Sequence, residues 1–183
     1  MNIAFWDNQL CERGTSTSLF DYAYYNEKLL GNKSFIFFDK NNTQNKENII
    51  MKFRKKFIVH PTDNFKEVDY YLKLYKISHI YIIKSGQLDN RISKVAKNCI
   101  HCVFNCSYPH GDIYASISPY VYGNNKKYPS VPHMINLPKN STNMRNKLKI
   151  PENAIVFGGY GGKKNSNISF VKKTVYNVAK NNP

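Results

Sequence analysis

The loop of residues 7–18, DNQLCERGTSTS, carries residue types that can hold an anionic or oxygen-rich ligand. It separates an apolar segment from an amphipathic one, so we expect a helix N-terminus with free backbone N–H groups at its end. Gly14 would let a ligand approach the backbone closely, and Glu12, Arg13 and Thr15 place charged and hydroxyl groups around it. The loop therefore predicts substrate contact by these four residues, although a plain capped helix is compatible with the same sequence.

The loop of residues 105–112, NCSYPHGD, contains a candidate acid–base pair. His110 could exchange protons with a substrate or hold a substrate hydroxyl, and Asp112 could orient its ring. Gly111 between them permits a tight turn. His110 and Asp112 are therefore the predicted catalytic residues, and a surface histidine without a role is the alternative.

The segment GGYGGKK, residues 158–164, has the composition of a diphosphate-binding turn. Gly161 and Gly162 would present backbone N–H groups, and Lys163 and Lys164 would neutralise the phosphate charge. A glycine-rich hinge between domains is the alternative. The segment predicts donor phosphate binding by these four residues.

The cysteines do not predict a metal site. They are Cys11, Cys99, Cys102 and Cys106. The segment NCIHCVFNC alternates like a strand, which puts Cys99 and Cys102 on opposite faces, whereas structural zinc sites take paired cysteines from a turn. We therefore expect no bound metal.

The chain is strongly basic, with 27 Lys and Arg against 12 Asp and Glu and a net charge of +15. This excess favours an anionic partner, such as nucleic acid, an acidic membrane or a phosphorylated substrate. The lysines are scattered, however, and the one dense run is KFRKK at 52–56, so compositional bias also explains the charge. No apolar stretch reaches the length of a membrane span, and no secretory signal is recognisable. A cytoplasmic protein with at most peripheral membrane contact is expected.

Strand-like and helix-like segments alternate along the chain. Strands are predicted at residues 2–7, 33–39, 57–61, 79–86, 99–106, 113–118 and 131–138. Helices are predicted at residues 15–31, 45–56, 64–77 and 88–98, with a short one opening at Ser118-Pro119. Because several strands are apolar throughout and helices separate them, the pattern predicts an α/β fold with a Rossmann-like, doubly wound parallel sheet.

Ligands bind beyond the carboxyl ends of the strands in such a sheet. Four polar loops are expected there, at residues 7–18, 60–64, 84–90 and 105–112. The two candidate loops described above are among them.

A second structural unit is predicted after a polar linker at 139–149. The segment that follows contains a strand, the glycine-rich turn and a helix at 168–180. One βα unit cannot bury its own faces, so we expect it to begin a second Rossmann-like domain whose remainder is absent. The predicted domains are residues 1–145 and 146–183.

Together these segments resemble the GT-B fold glycosyltransferases, in particular enzymes of the glycosyltransferase 4 and glycosyl transferases group 1 type. Four segments carry the resemblance: ERGTSTSLFDYAYYNEKLLGNKSFIFFD (12–39), PHGDIYASIS (109–118), VPHMINLP (131–138) and IPENAIVFGGYGGKK (150–164). They follow the family's order and span almost the whole chain, and the first is the most specific.

The resemblance implies an acceptor-side N-terminal domain that faces a C-terminal domain holding most of the nucleotide-sugar. It implies that Arg13, Gly14 and Thr15 border donor and acceptor, and that Lys163 or Lys164 contacts the donor diphosphate. The acceptor would be a glycan or a lipid-linked molecule. Neither a metal nor a cofactor would be needed, because basic side chains and helix dipoles stabilise the leaving diphosphate.

Two features depart from the family pattern. Many relatives have a histidine after the strand where this chain has Asn105, which we therefore treat as a candidate substrate-binding residue. The acidic donor-binding motif of the family lies in the part of the second domain that this sequence lacks. Catalysis by these residues alone is therefore not expected.

A function of a different class stays open, namely a non-catalytic basic Rossmann-like module that binds nucleic acid or a protein partner. Nucleic-acid binding predicts a continuous basic stripe with exposed aromatic side chains. A transferase predicts basic residues concentrated at 13 and 163–164. The sequence favours the transferase, because the run at 52–56 lies on a helix away from the strand ends, and no specific nucleic-acid partner is expected.

Overall fold

The structure, a computed structural model, describes residues 1–122, 128–134, 143–156 and 168–181. The chain divides into two units, Met1–Leu137 and Pro138–Pro183. The predicted division between residues 145 and 146 stays a prediction.

Six parallel strands form one sheet within the described residues of the first unit. They are β1 (Asn2–Asp7), β2 (Lys33–Asp39), β3 (Ile58–Thr62), β4 (His79–Lys84), β5 (Lys97–Cys102) and β6 (Ile113–Ser116). Their order across the sheet is β3-β2-β1-β4-β5-β6. Three helices connect them: α1 (Gly14–Leu30), α2 (Glu47–Arg54) and α3 (Phe65–Leu74). A 3-10 turn at Pro119–Tyr122 follows the last strand.

Helices cover both faces of the sheet. Successive strand residues point to opposite sides, so each strand packs against both helical layers. Phe5 of β1 packs with Leu19 of α1 and Phe53 of α2 on one face. Trp6, the next residue, packs with Leu72 of α3 on the other face. Burial of one such large side chain contributes about 2 kcal/mol to stability. The predicted α/β class with a Rossmann-like, doubly wound parallel sheet is confirmed.

Helix α1 presents the first candidate loop to the edge of the sheet. It starts directly after Arg13, whose backbone is extended, and ends before Gly31. Gly31 has a φ of 64° and donates its backbone N–H to the carbonyl of Glu27 at 3.1 Å. Glycine adopts this left-handed conformation without steric cost, so the predicted helix end is confirmed.

The helix predicted at 88–98 does not form. The structure describes every residue between β4 and β5, and none of them is helical. The Ser93 hydroxyl donates to Asp69 on α3 at 2.6 Å, and the Asn98 side chain bonds both the N–H and the carbonyl of Ser93. Such side-chain bonds to the backbone compete with helical hydrogen bonds. This prediction was wrong, and β5 begins two residues earlier than predicted.

The strand predicted at 131–138 is also absent from its described part, residues 131–134. Just before it, Ser130 forms an isolated bridge with Ser116, and the Val131 N–H donates to the Ser116 carbonyl at 2.7 Å. Pro132 has no N–H to donate to a strand ladder, and its carbonyl accepts the Tyr22 hydroxyl at 2.9 Å. The remainder of this prediction lies outside the described residues.

The described residues of the second unit include two helices, α4 (Arg145–Leu148) and α5 (Ser169–Asn181). The Arg145 guanidinium bonds the carbonyls of Pro151 at 2.6 Å and Ala154 at 3.0 Å, which fixes the turn between them. The helix predicted at 168–180 is confirmed by α5. The glycine-rich turn lies outside the described residues.

Candidate functional site

The strand order creates a topological switch point between β1 and β4. The chain leaves β1 toward β2 on one side and leaves β4 toward β5 on the other. Connections therefore diverge there, and a crevice opens beyond the carboxyl ends of the two strands. Asp7 ends β1 and Lys84 ends β4, so both lie at this crevice.

A cleft of about 190 Å³ occupies this position. Its lining combines charged and polar groups from the β1–α1 loop and from the segments after β4 and β5. The lining residues are Trp6, Asp7, Asn8, Arg13, Thr15, Ile83, Lys84, Ser85, Asp89, Arg91, Val103 and Phe104. Convergent polar groups at a switch point are typical of a ligand site.

Asp7 anchors one wall of the cleft. It is 1% exposed, and one carboxylate oxygen accepts the Ser16 hydroxyl at 3.0 Å. The other oxygen pairs with the Arg13 guanidinium, which also bonds the side-chain oxygen of Asn8. Burial raises the pKa of Asp7, and the Arg13 charge opposes this rise. Asp7 thus holds Arg13 at the cleft.

Lys84 forms the opposite wall, with a side chain that is 3% exposed. Its ammonium group donates to a carboxylate oxygen of Asp89 at 2.5 Å and lies 3.1 Å from Nε2 of His110. His110 Nδ1 lies 2.6 Å from the carbonyl of Tyr108. A carbonyl can only accept, so Nδ1 carries the proton and Nε2 is free to accept from Lys84.

The ionisation of this wall follows from its burial and its pairing. Burial lowers the pKa of Lys84, and the hydrogen bond to Asp89 opposes that shift. Burial alone would raise the pKa of Asp89, but its bonds to Lys84 and to the N–H of Arg91 bring it below the ordinary value. The Asp89 carboxylate therefore offsets part of the cost of burying the ammonium charge.

Three polar atoms that belong to lining residues are buried and have no hydrogen-bond partner among the described residues. They are Nε1 of Trp6, Nε of Arg13 and Oγ1 of Thr15. Trp6 is only 4% exposed. Leaving one such donor unpaired costs about 1–3 kcal/mol, so a hydrogen-bond partner for any of these atoms would stabilise the protein.

The structure brings three of the predicted site residues to this cleft. Arg13 and Thr15 line it, and His110 reaches it through its contact with Lys84. Gly14 is exposed as the first residue of α1, and a side chain there would meet nothing within 4 Å. Glu12 lies on the outer surface, where its carboxylate accepts from Asn48 at 2.9 Å.

Asn105 and Asp112 are engaged elsewhere. The Asn105 side chain accepts the N–H of Ser107 at 2.8 Å and so closes its own turn. Asp112 accepts the N–H of Asn98 at 2.7 Å, beside the start of β5 and thus at the opposite edge of the sheet. Asp112 does not orient the His110 ring in this arrangement, because the Asp112 carboxylate bonds Asn98 and His110 Nδ1 faces the Tyr108 carbonyl. The predicted phosphate residues Gly161, Gly162, Lys163 and Lys164 lie outside the described residues.

Sequence reasoning did not single out Lys84, Asp89 and Arg91. One signal for these residues is the polar loop at 84–90, which the sequence places at the carboxyl edge of the sheet. A lysine that closes an apolar strand, HIYIIK, was the more specific sign, since lysine is rarely buried without a partner.

A larger groove of about 440 Å³ lies at the opposite edge of the sheet, between α1 and the starts of β1 and β4. Ile3, Phe5, Tyr22, Leu29 and Tyr81 are among its lining residues, and no aspartate, glutamate, lysine or arginine is found among the described residues around it. Its lining is mostly apolar, although Tyr22, His79 and Cys99 contribute polar groups, and its described residues offer no set of paired side-chain charges like that of the polar cleft. The polar cleft is therefore the candidate functional site.

Three general observations apply to the described part of the chain. No cluster of three or more His, Cys, Asp and Glu side chains within it could hold a metal ion. None of its helices combines the length and the apolar character needed to cross a membrane. Comparison of the chain with protein-family models, with curated proteins and with solved structures found no match.

Proposed function

We propose that this chain takes part in glycosyl transfer from a nucleotide-sugar donor to a glycan or lipid-linked acceptor. The observation that carries the proposal is the polar cleft at the switch point between β1 and β4, where Arg13, Thr15 and Lys84 converge. The sequence resemblance to GT-B fold glycosyltransferases supports the same reaction. In the proposal the cleft borders the donor and the acceptor, as the resemblance implies for Arg13 and Thr15, and donor phosphate binding by Lys163 and Lys164 stays a prediction that lies outside the described residues.

The reaction needs a nucleophile, a proton acceptor and a stabilised leaving group. The acceptor hydroxyl attacks the anomeric carbon, the bond from that carbon to the diphosphate oxygen breaks, and the hydroxyl proton passes to a base. Cationic side chains stabilise the charge that develops on the leaving diphosphate. Arg13, Lys84 and Arg91 are the described side chains suited to this stabilisation.

His110 has a positioning role in this proposal. Its Nε2 lone pair is directed at the Lys84 ammonium, so it acts on the substrate through Lys84. Asp112 has no part in it, because its carboxylate caps Asn98 at the other edge of the sheet. The acid–base assignment of His110 and Asp112 stays an untested prediction.

The basic run at 52–56 gives little support to the nucleic-acid alternative. The Lys52 ammonium lies 4.4 Å from the centre of the Phe20 ring, and Arg54 pairs with Glu47 at 3.4 Å. Lys56 lies 3.7 Å from the Glu27 carboxylate. Three of the four cations of the run therefore make contacts within the fold, on or just after α2 rather than at the cleft.

The test is calorimetric titration of the protein with a panel of UDP- and GDP-sugars, comparing Thr15→Val with Thr17→Val. Thr15 Oγ1 is buried without a partner in the described residues, whereas Thr17 is exposed and its hydroxyl bonds only the Arg13 carbonyl, at 3.2 Å. We expect saturable binding that Thr15→Val weakens about two- to tenfold, from the loss of one hydrogen bond, and that Thr17→Val leaves unchanged. Absence of saturable binding to every nucleotide-sugar would refute the proposed function.

A further inference from the structure

We infer that the switch-point cleft is an anion site that holds one phosphate or carboxylate group between Arg13, Lys84 and Arg91. The inference names the ligand class of the cleft. It rests on the proposed function only for the question of whether that anion belongs to the donor or to the acceptor.

The charges that line the cleft leave a positive excess. Arg13, Lys84 and Arg91 contribute three cations, and Asp7 and Asp89 contribute two carboxylates. Both carboxylates are already occupied by these cations, through the Asp7 pair with Arg13 and the Asp89 pairs with Lys84 at 2.5 Å and Arg91 at 3.5 Å. A ligand that restores neutrality carries negative charge.

The unsatisfied groups at the cleft are all potential donors. Nε1 of Trp6 and Nε of Arg13 can only donate, and the Thr15 hydroxyl can donate as well. No unpaired buried side-chain group that can only accept is found among the described residues lining the cleft. A ligand complementary to this set supplies acceptor oxygens, which is what a phosphate or a carboxylate offers.

The cations are held in place before any ligand arrives. Asp89 bonds Lys84 with one carboxylate oxygen and lies near the Arg91 guanidinium with the other. The Arg91 guanidinium also lies over the Trp6 ring, 5.1 Å from its centre. Lys84 donates to Asp89 and His110. In the contacts that the described residues make, the third ammonium hydrogen is therefore left to donate to a ligand.

The volume of the cleft limits the ligand to one charged group. A space of about 190 Å³ is smaller than the roughly 300–1,000 Å³ of pockets that enclose whole drug-sized ligands. The cleft therefore recognises the anionic part of a larger molecule. Two sources share this chemistry, the diphosphate of a nucleotide-sugar and an acidic group on the acceptor.

The test titrates the protein with pyrophosphate, inorganic phosphate and acetate at constant ionic strength, with glycerol as a neutral probe, and follows heat and Trp6 fluorescence. The variants are Arg91→Gln, Lys84→Met and, as a control, Arg54→Gln, which removes an exposed arginine on α2. Loss of one charge-assisted hydrogen bond, worth about 1.5–3 kcal/mol, weakens binding by about ten- to a hundredfold. We expect this effect with Arg91→Gln and no change with Arg54→Gln.

Arg91→Gln keeps the inference falsifiable if the buried Lys84→Met variant fails to fold, because Arg91 is 44% exposed. Failure of all three anions to bind would overturn the inference, as would equal weakening by Arg91→Gln and Arg54→Gln. Competition of pyrophosphate with UDP would assign the site to a donor, and competition with glucuronate but not UDP would assign it to an acidic acceptor. Anion binding without binding of any nucleotide-sugar would support the inference while refuting the proposed function.

Discussion

Replacement of Gly86 by alanine tests the packing that supports the candidate site. Gly86 follows β4 directly after Ser85 and has a φ of 111°, in the region that favours glycine. An added Cβ would lie 1.8 Å from the backbone oxygen of Asn105 and 2.7 Å from its carbonyl carbon. The loops after β4 and β5 cross at this point, so one of them must move to accept a methyl group.

The expected loss of stability has two sources. The left-handed backbone conformation costs a non-glycine residue about 1–3 kcal/mol, and a clash that shifts backbone costs about 1–3 kcal/mol more. We expect Gly86→Ala to lower the free energy of unfolding by about 2–6 kcal/mol. Gly14→Ala is the matched control, because a Cβ there meets nothing within 4 Å and the residue begins a helix.

The measurement is equilibrium urea unfolding, followed by circular dichroism, for the wild type and both variants. Anion titration of Gly86→Ala under folding conditions then reports on the cleft, since Ser85 and Phe104 line it from the two crossing loops. Equal stability of Gly86→Ala and wild type would refute the crossing geometry. A Gly14→Ala variant that folds normally but loses ligand binding would support close approach of the ligand to Gly14.

Three further predictions concern charge, pH and the core. Burial raises the pKa of Asp7, so ionisation of Asp7 costs folding free energy as pH rises above about 4. The free energy of unfolding of Asp7→Asn, measured in urea relative to wild type, should therefore increase from pH 4 to pH 7. A difference that stays constant with pH would contradict this. Burial lowers the pKa of His101, whose Nδ1 lies 2.6 Å from the Tyr81 hydroxyl. The unfolded chain then binds the extra proton, so stability should fall as pH drops below about 6.5. His101→Asn should reduce this slope in urea unfolding, and an unchanged slope would contradict the assignment to His101. Phe53 is 1% exposed and packs edge-on against Phe20 at 5.2 Å; Phe53→Ala should cost about 3–5 kcal/mol of unfolding free energy, and a loss below 1 kcal/mol would contradict its place in the core.

Much of the fold could be predicted because it depends on local patterns. The apolar runs NIAFWD and KSFIFFD end where their strands end, at Asp7 and Asp39. The helix between them ends at a glycine that adopts the left-handed conformation. Strand propensity, helical periodicity and turn chemistry act over a few residues, so a single sequence reveals them. The carboxyl-edge location of the loop at 7–18 followed from the same alternation.

The composition of the candidate site was decided by tertiary structure. Lys84, Asp89 and His110 meet because two connections without helices bring their loops together beyond β4 and β5. The same packing bonds Asp112 to Asn98 rather than to His110, although Asp112 lies only two residues from His110. The sequence by itself determined most of the alternating elements, since these arise from short-range periodicity, but it placed a helix at 88–98 and a strand at 131–134 where none forms. Only the fold brought the Lys84–Asp89 pair, His110 and Arg13 to one cleft, because the burial of such groups depends on long-range contacts and desolvation.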